Sequence, residues 1–159
     1  MSIEKVKAYF AQHGMLDRVL EFPVSSATVE LAAVAVGCEP ARIAKTLSFS
    51  VGGSPILIVT AGDAKIDNAK YKGFFHVKAK MLTPDEAVTF IGHAVGGVCP
   101  FAINDGVAVY LDESMKRFET VFPACGSSNS AIELTPLELE QYSGSKNWVD
   151  VCKGWQENF

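Results

Sequence analysis

The sequence predicts an α/β fold, a mixed and curled β-sheet with helices packed around it. Three observations point there. Two β-rich runs, Lys45 to Val51 and Ile56 to Thr60, flank Gly52-Gly53-Ser54-Pro55 and read as a hairpin. Two segments, Thr83-Pro84-Asp85-Glu86 and Thr135-Pro136-Leu137-Glu138, are capping boxes with proline at the first helical position. Strand and helix signals mix without strict βαβ alternation, which argues against a purely parallel sheet.

The elements follow in chain order. Ile3, Val6 and Phe10 keep helical spacing and Gly14 supplies a stop, so residues 3–13 form a helix. Arg18 to Val24 is a short strand. Ser26 caps an alanine-rich helix that runs to Val36 and ends at Gly37. The hairpin comes next, and Asp67 starts a short helix. The first capping box opens a helix to about Ile91. Val107 to Leu111 and Glu119 to Phe122 are strands, with a helical turn from Glu113 to Arg117 between them. Ala131 to Leu134 is a further strand, the second capping box opens a helix ended by Gly144, and Asn147 to Cys152 is a last strand.

At 159 residues the chain is expected to form one domain. That length buries enough surface to need no disulfide or metal staple. Apolar content of 48% and charged content of 20% exclude a disordered or fibrous chain. No apolar run reaches the ~18 residues of a membrane span, and the charged start Met1 to Lys7 lacks a signal peptide's apolar stretch. A cytoplasmic protein without membrane partners is expected. Cys38, Cys99, Cys125 and Cys152 form no Cys-x-x-Cys motif, and His13, His76 and His93 have no metal-ligand spacing. Neither metal nor cofactor is expected. The net charge of −4 argues against a general nucleic-acid binder. Lys65, Lys70, Lys72, Lys78 and Lys80 nevertheless fall in one stretch against Asp67 alone. That stretch reads either as a solvated face or as a local phosphate-contact patch.

Three features are candidates for chemistry. Lys45 shares strand parity with Leu47, Phe49 and Val51, so it is aimed at the apolar side, at the rim of the core. Lysine is rarely buried without a partner or a task, although a strand-end lysine can also snorkel to water. Gly96-Gly97-Val98-Cys99-Pro100-Phe101 is the second feature. Its glycines let a ligand approach the backbone and Pro100 stiffens the exit, but a plain turn fits the same residues. The third is the polar loop Gly126-Ser127-Ser128-Asn129-Ser130, either an ordinary connection or a binding loop. The chain has no Gly-x-Ser-x-Gly elbow and no phosphate-binding P-loop. Cys99 reads as a space-filler rather than a nucleophile, since spacing places no histidine beside it. Asp112 reads as a turn cap rather than a lysine's partner.

Taken in order, Thr28-Val29-Glu30-Leu31-Ala32-Ala33, Ile43-Ala44-Lys45-Thr46-Leu47-Ser48-Phe49, Gly96-Gly97-Val98-Cys99-Pro100-Phe101, Asp112-Glu113-Ser114, Gly126-Ser127 and Ala131-Ile132-Glu133-Leu134-Thr135 resemble the YbaK-type family of aminoacyl-tRNA editing domains. That family includes the editing insertion of bacterial prolyl-tRNA synthetases and its free-standing relatives. The resemblance spans about Ser25 to Gly144 and implies a partly barrel-like sheet. It implies hydrolysis of the ester between a wrong amino acid and the 3′ end of a tRNA, most of all a mischarged tRNA-Pro. It also brings in prolyl-tRNA synthetase as a partner. Lys45 matches the family's pocket lysine. Gly96 and Pro100 match its glycine–proline motif, with Gly97, Val98, Gly126 and Ser127 as further substrate contacts. In the family a terminal ribose hydroxyl of the tRNA helps to orient or activate water, so neither triad nor metal is required. The synthetase-type members carry a histidine where this chain has Gly126-Ser127-Ser128-Asn129, so their substrate selection does not carry over. The segment from Asp63 to Met81 also looks shortened. A non-catalytic module that binds a nucleotide or an aminoacyl end on the same fold is the alternative.

Overall fold

The computed structural model describes residues 2–145 and 147–155. Helix α1 (Ser2–Gln12) leads into β1 (Val19–Glu21) and α2 (Val29–Val36). The hairpin of β2 (Ile43–Val51) and β3 (Ser54–Ala61) follows. Next come β4 (Lys65–Ile66), α3 (Asn68–Phe75) and the single turn α4 (Pro84–Glu86). The second half holds β5 (Ala108–Asp112), β6 (Phe122–Pro123), β7 (Ser130–Ile132), α5 (Pro136–Ser143), β8 (Asn147–Val149) and β9 (Cys152–Lys153).

The main sheet is mixed, in the order β6-β2-β3-β5-β8. Only the β2–β3 pair is antiparallel; β6, β5 and β8 each join in parallel. Strand β3 is central, and every residue from Ile56 to Ala61 is buried. Gly52 and Gly53 both take positive φ, 57° and 84°, the two-residue turn that matches the twist of a hairpin. A Val121–Leu134 bridge carries the pairing on from β6 to the antiparallel β1–β7 pair, and the ribbon curls into a half-barrel. Helix α1 closes one side through Val6 and Phe10, both fully buried, with Phe10 edge-on to Phe101. No helix among the described residues is long and apolar enough to cross a membrane.

Several boundaries differ from expectation, each for a physical reason. Ser26 does not cap α2. Its N–H and hydroxyl both turn to the Ser128 carbonyl, at 2.6 and 3.3 Å, and Thr28 takes over the cap by accepting from the Leu31 N–H. Only Val19–Glu21 of the first expected strand joins the β7 ladder, with the Phe22 N–H donating to the Asn129 carbonyl just beyond it. Arg18 sits in a 3₁₀ turn and reaches across to Glu138 and the Glu133 carbonyl. The helix after Thr83 keeps its reciprocal capping box but widens to a π turn over Ala87–Ile91. The strand expected from Glu119 is reduced to β6, because Arg42 holds Thr120 instead. The last strand splits into β8 and β9, since the Val151 N–H donates to Asp112 Oδ1 between them.

Glu138 closes the α5 capping box and also receives Arg18 at 2.8 Å. The Arg18 hydrogen bond, ahead of the Thr135 bonds, holds its carboxyl down at about 2, against an ordinary 4.5. Because the folded pKa is depressed, this stabilisation is complete above pH 4.5 and is lost as pH falls from there through about 2. Urea unfolding across that window should show stability dropping with acid. Glu138→Gln should be less stable at neutral pH and flatter within the window. An unchanged slope would remove Arg18–Glu138 from the acid response.

Candidate functional site

A cavity of about 380 Å³ opens between β2, the start of α2, the Met81–Ala87 segment and the loop after the π turn. Its walls are mostly apolar, with Val29, Ala32, Ile43, Leu47, Ala87 and Val98 among them. Such a small apolar site with few polar groups suits a small organic group held in one orientation.

Lys45 lines this cavity from β2, half-buried and paired in register with Thr60. Burial lowers its pKa from the ordinary value. The neighbouring Cys152, Asp63 and Glu30 oppose the shift, while Lys65 adds to it. Asp63 is gripped by Arg117 through both oxygens, at 2.5 and 3.0 Å. The ammonium is therefore a partly desolvated cation at the edge of an apolar hole.

Both faces of β2 are covered. Thr46 and Ser48, which alternate with Lys45 and Leu47 along β2, also line the cavity. Ser48 is buried, and Thr46 Oγ1 is buried with no hydrogen-bond partner among the described residues. Residue-by-residue alternation alone could not reveal this, because it separates two faces without saying what covers the second.

The glycine loops divide their labour. Gly96 and Val98 line the cavity, and Gly96 has φ 95°. A methyl group on Gly96 would come within 3.5 Å of Ser128 Cβ and 3.7 Å of Ala27 Cβ, so three segments meet at the rim. Gly97 lies behind the rim. A methyl group there would stand 2.6 Å from both the Gly126 carbonyl carbon and the Ser127 nitrogen. Gly126 in turn is pressed on Ser2 and Val6 of α1, with φ 93°. Pro100 is buried and does not line the cavity. Ser127 Oγ is engaged inside its own loop, with Asn129 Oδ1 at 2.9 Å and Ser130 Oγ at 2.8 Å. Of the expected site residues, Lys45, Gly96 and Val98 thus meet at the cavity, while Gly97, Pro100, Gly126 and Ser127 stand behind its wall.

The fold brings a histidine to Cys99 that spacing did not reveal. His93 Nε2 is 3.5 Å from Cys99 Sγ, and both side chains are fully buried. The same nitrogen is 2.8 Å from the Phe101 carbonyl. A carbonyl only accepts, so Nε2 carries the hydrogen and cannot take the thiol's proton. Burial pushes the Cys99 thiol up to about 12 and lowers the imidazole's pKa. The pair is packing, not a nucleophile and its base.

Asp112 caps the turn as expected, accepting from the Ser114 N–H at 2.9 Å and also from Val151. Burial and then the Asp112 charge push the neighbouring Cys152 thiol well up, so it stays protonated. No group of three or more His, Cys, Asp or Glu among the described residues is arranged to hold a metal ion.

The family model of the aminoacyl-tRNA editing domain matches residues 24–142. The chain belongs to this family. A Bacillus subtilis (strain 168) protein called uncharacterized protein YwhH is 56% identical over 157 residues, covering 98% of this chain and 100% of that one. The proline–tRNA ligase of Lactiplantibacillus plantarum (strain ATCC BAA-793 / NCIMB 8826 / WCFS1) is 21% identical over 111 residues. That match takes in 69% of this chain but 19% of the ligase. Among solved structures, one described as a proposed trans-editing enzyme for prolyl tRNA synthetase superposes with a TM-score of 0.86 at 30% identity, covering 96% of this chain and 98% of that one. A second, hypothetical protein APE2540, reaches 0.83 at 26% identity, covering 94% and 99%.

Gly97→Ala should be poorly tolerated, because its Cβ would collide with backbone rather than with a movable side chain. The expected loss is about 1–3 kcal/mol, read by urea unfolding. Gly73→Ala, with nothing within 4 Å of its Cβ, serves as the comparison. Equal stability of the two variants would show that the loops do not meet as described.

Proposed function

We propose that this protein is a trans-editing deacylase, which hydrolyses the ester joining a wrong amino acid to the 3′-terminal ribose of a tRNA. Mischarged tRNA-Pro is the leading substrate, and the cytoplasm is the place of action. Family membership and the likeness to the proposed trans-editing enzyme support the reading. The observation that carries it is the partly desolvated Lys45 at an apolar cavity rimmed by Gly96.

The chemistry follows from that placement. Water adds its hydroxyl to the acyl carbon, and the ribose oxygen leaves with a proton. Negative charge builds on the carbonyl oxygen in between. A fixed ammonium in a low-dielectric site stabilises that charge far more than it would in water. Lys45 acts by positioning and charge, not as a nucleophile. The apolar walls receive the amino acid's side chain, and the glycine at the rim leaves room for the ester and ribose. Alanine, cysteine and serine are all small enough to be candidates. One methylene in such a pocket discriminates by about 1–3 kcal/mol, so the lining of β2 and α2 sets the choice.

A panel of mischarged tRNAs tests the reading. At least one should be deacylated well above the buffer rate, and Lys45→Ala should lower kcat/KM by about 100-fold, as removal of an oxyanion donor does. Cys99→Ala should keep activity within about twofold, because the thiol is protonated and buried. If no member of the panel is cleaved faster than in buffer, the protein is a binding module and the enzyme reading falls. If Cys99→Ala abolishes hydrolysis without unfolding the protein, the thiol has been wrongly set aside.

A further inference from the structure

We propose that Lys72, Lys78 and Lys80 form a track for the phosphates of the tRNA's single-stranded 3′ end, leading into the Lys45 cavity. This rests on the deacylase reading for the identity of the strand's terminus, but its geometry is independent of the chemistry at Lys45.

Four observations carry it. The stretch Lys65 to Lys80 holds five lysines and one aspartate in a chain of net charge −4, so positive charge is concentrated here against the general sign. Lys72 and Lys78 line a second cleft, of about 420 Å³, together with Asn68, Ala69 and Ala79. The segment after that cleft is pinned along the open edge of β2. The Ser50 N–H donates to the Lys80 carbonyl at 2.8 Å, the Leu82 N–H to the Ser48 carbonyl at 3.0 Å, and Met81 bridges Phe49. Met81 and Leu82 then line the Lys45 cavity itself. The chain from Lys78 to Leu82 therefore runs from one cleft to the other over about 13 Å, at the usual rise of an extended strand.

The lysines are available for this. Lys72, Lys78 and Lys80 are exposed, and no ion pair among the described residues engages them. Lys70 is different, since its ammonium donates to Asp150 Oδ1 and the Cys152 carbonyl, both at 3.0 Å. It ties α3 to β9 and leaves the patch. Val77 and Met81, exposed on the same Lys72–Leu82 stretch, offer apolar surface to unpaired bases. A positive groove beside such surface, ending at a cavity for a small acyl group, fits a nucleic-acid strand with an acylated end better than an acidic protein.

The test is tRNA binding across a salt series, for the parent, Lys72→Gln/Lys78→Gln, the same pair with Lys80→Gln added, and a charge-matched control, Lys7→Gln/Lys116→Gln. Uncharged tRNA serves as the binding probe and mischarged tRNA as substrate. The cleft variants should bind about tenfold more weakly, with a log–log salt dependence shallower by about 0.7 for each phosphate left without its lysine. KM for mischarged tRNA should rise with kcat unchanged. The aminoacyl ester of adenosine alone, which lacks the phosphates, should be hydrolysed as before. Binding equal to the parent's, or an equal weakening in the control, overturns the track and leaves the deacylase reading intact. Lysine-dependent binding without any hydrolysis does the reverse. A parent that binds no tRNA overturns the track outright.

Discussion

The site depends on one close approach, the seating of Gly97 against the Gly126–Ser127 peptide. At 2.6 Å from a would-be Cβ there is room for a hydrogen and nothing larger. Around that contact the other segments stack. Helix α1 presses on Gly126 from behind through Ser2 and Val6. Gly96, one residue along, meets Ser128 and Ala27 at the rim, and Ser128 in turn holds Ser25 and Ser26 before α2. The cavity mouth is thus built from close contacts among segments far apart in sequence. Side chains at Gly97 or Gly126 would pry it open.

Electrostatics adds a second layer. The charges near Lys45 are largely committed elsewhere: Asp63 to Arg117, and Asp112 to two backbone N–H groups. Cys152, a neighbour of both Asp112 and Lys45, is a neutral thiol. Burial makes a positive charge on this lysine costly. The same logic separates Lys70 from its neighbours on the lysine-rich stretch. The Lys70 ammonium joins α3 to β9, while Lys72, Lys78 and Lys80 are exposed.

Much of the fold was legible because its signals are local. Both capping boxes form in both directions, the Gly52–Gly53 hairpin closes as read, and Asp67 caps α3. Boundaries failed where a distant group overrode the local pattern. Ser26 turned to the Ser128 carbonyl and left the cap to Thr28, Thr120 left the ladder for Arg42, and Asp112 broke the last strand at Val151. The site was legible in part for the same reason. Lys45 stood out as a cation on a strand, and Gly96 as a glycine beside a glycine. Thr46 and Ser48 did not stand out, because strand parity does not show that the second face is covered too.

The sequence by itself determined the local pieces: the two capping boxes, the hairpin and the ordered set of motifs that marks the family. These rest on the preferences of a few adjacent residues and survive in any context that permits them. Only the tertiary structure decided which of those residues share a cavity, which lysine is tied down, and that His93 donates to Phe101 instead of accepting from Cys99. Each of those outcomes turns on a distance or burial set by side chains and backbone the chain brings together only when folded. Proton affinity, pairing and access follow from that packing, and no local pattern encodes it.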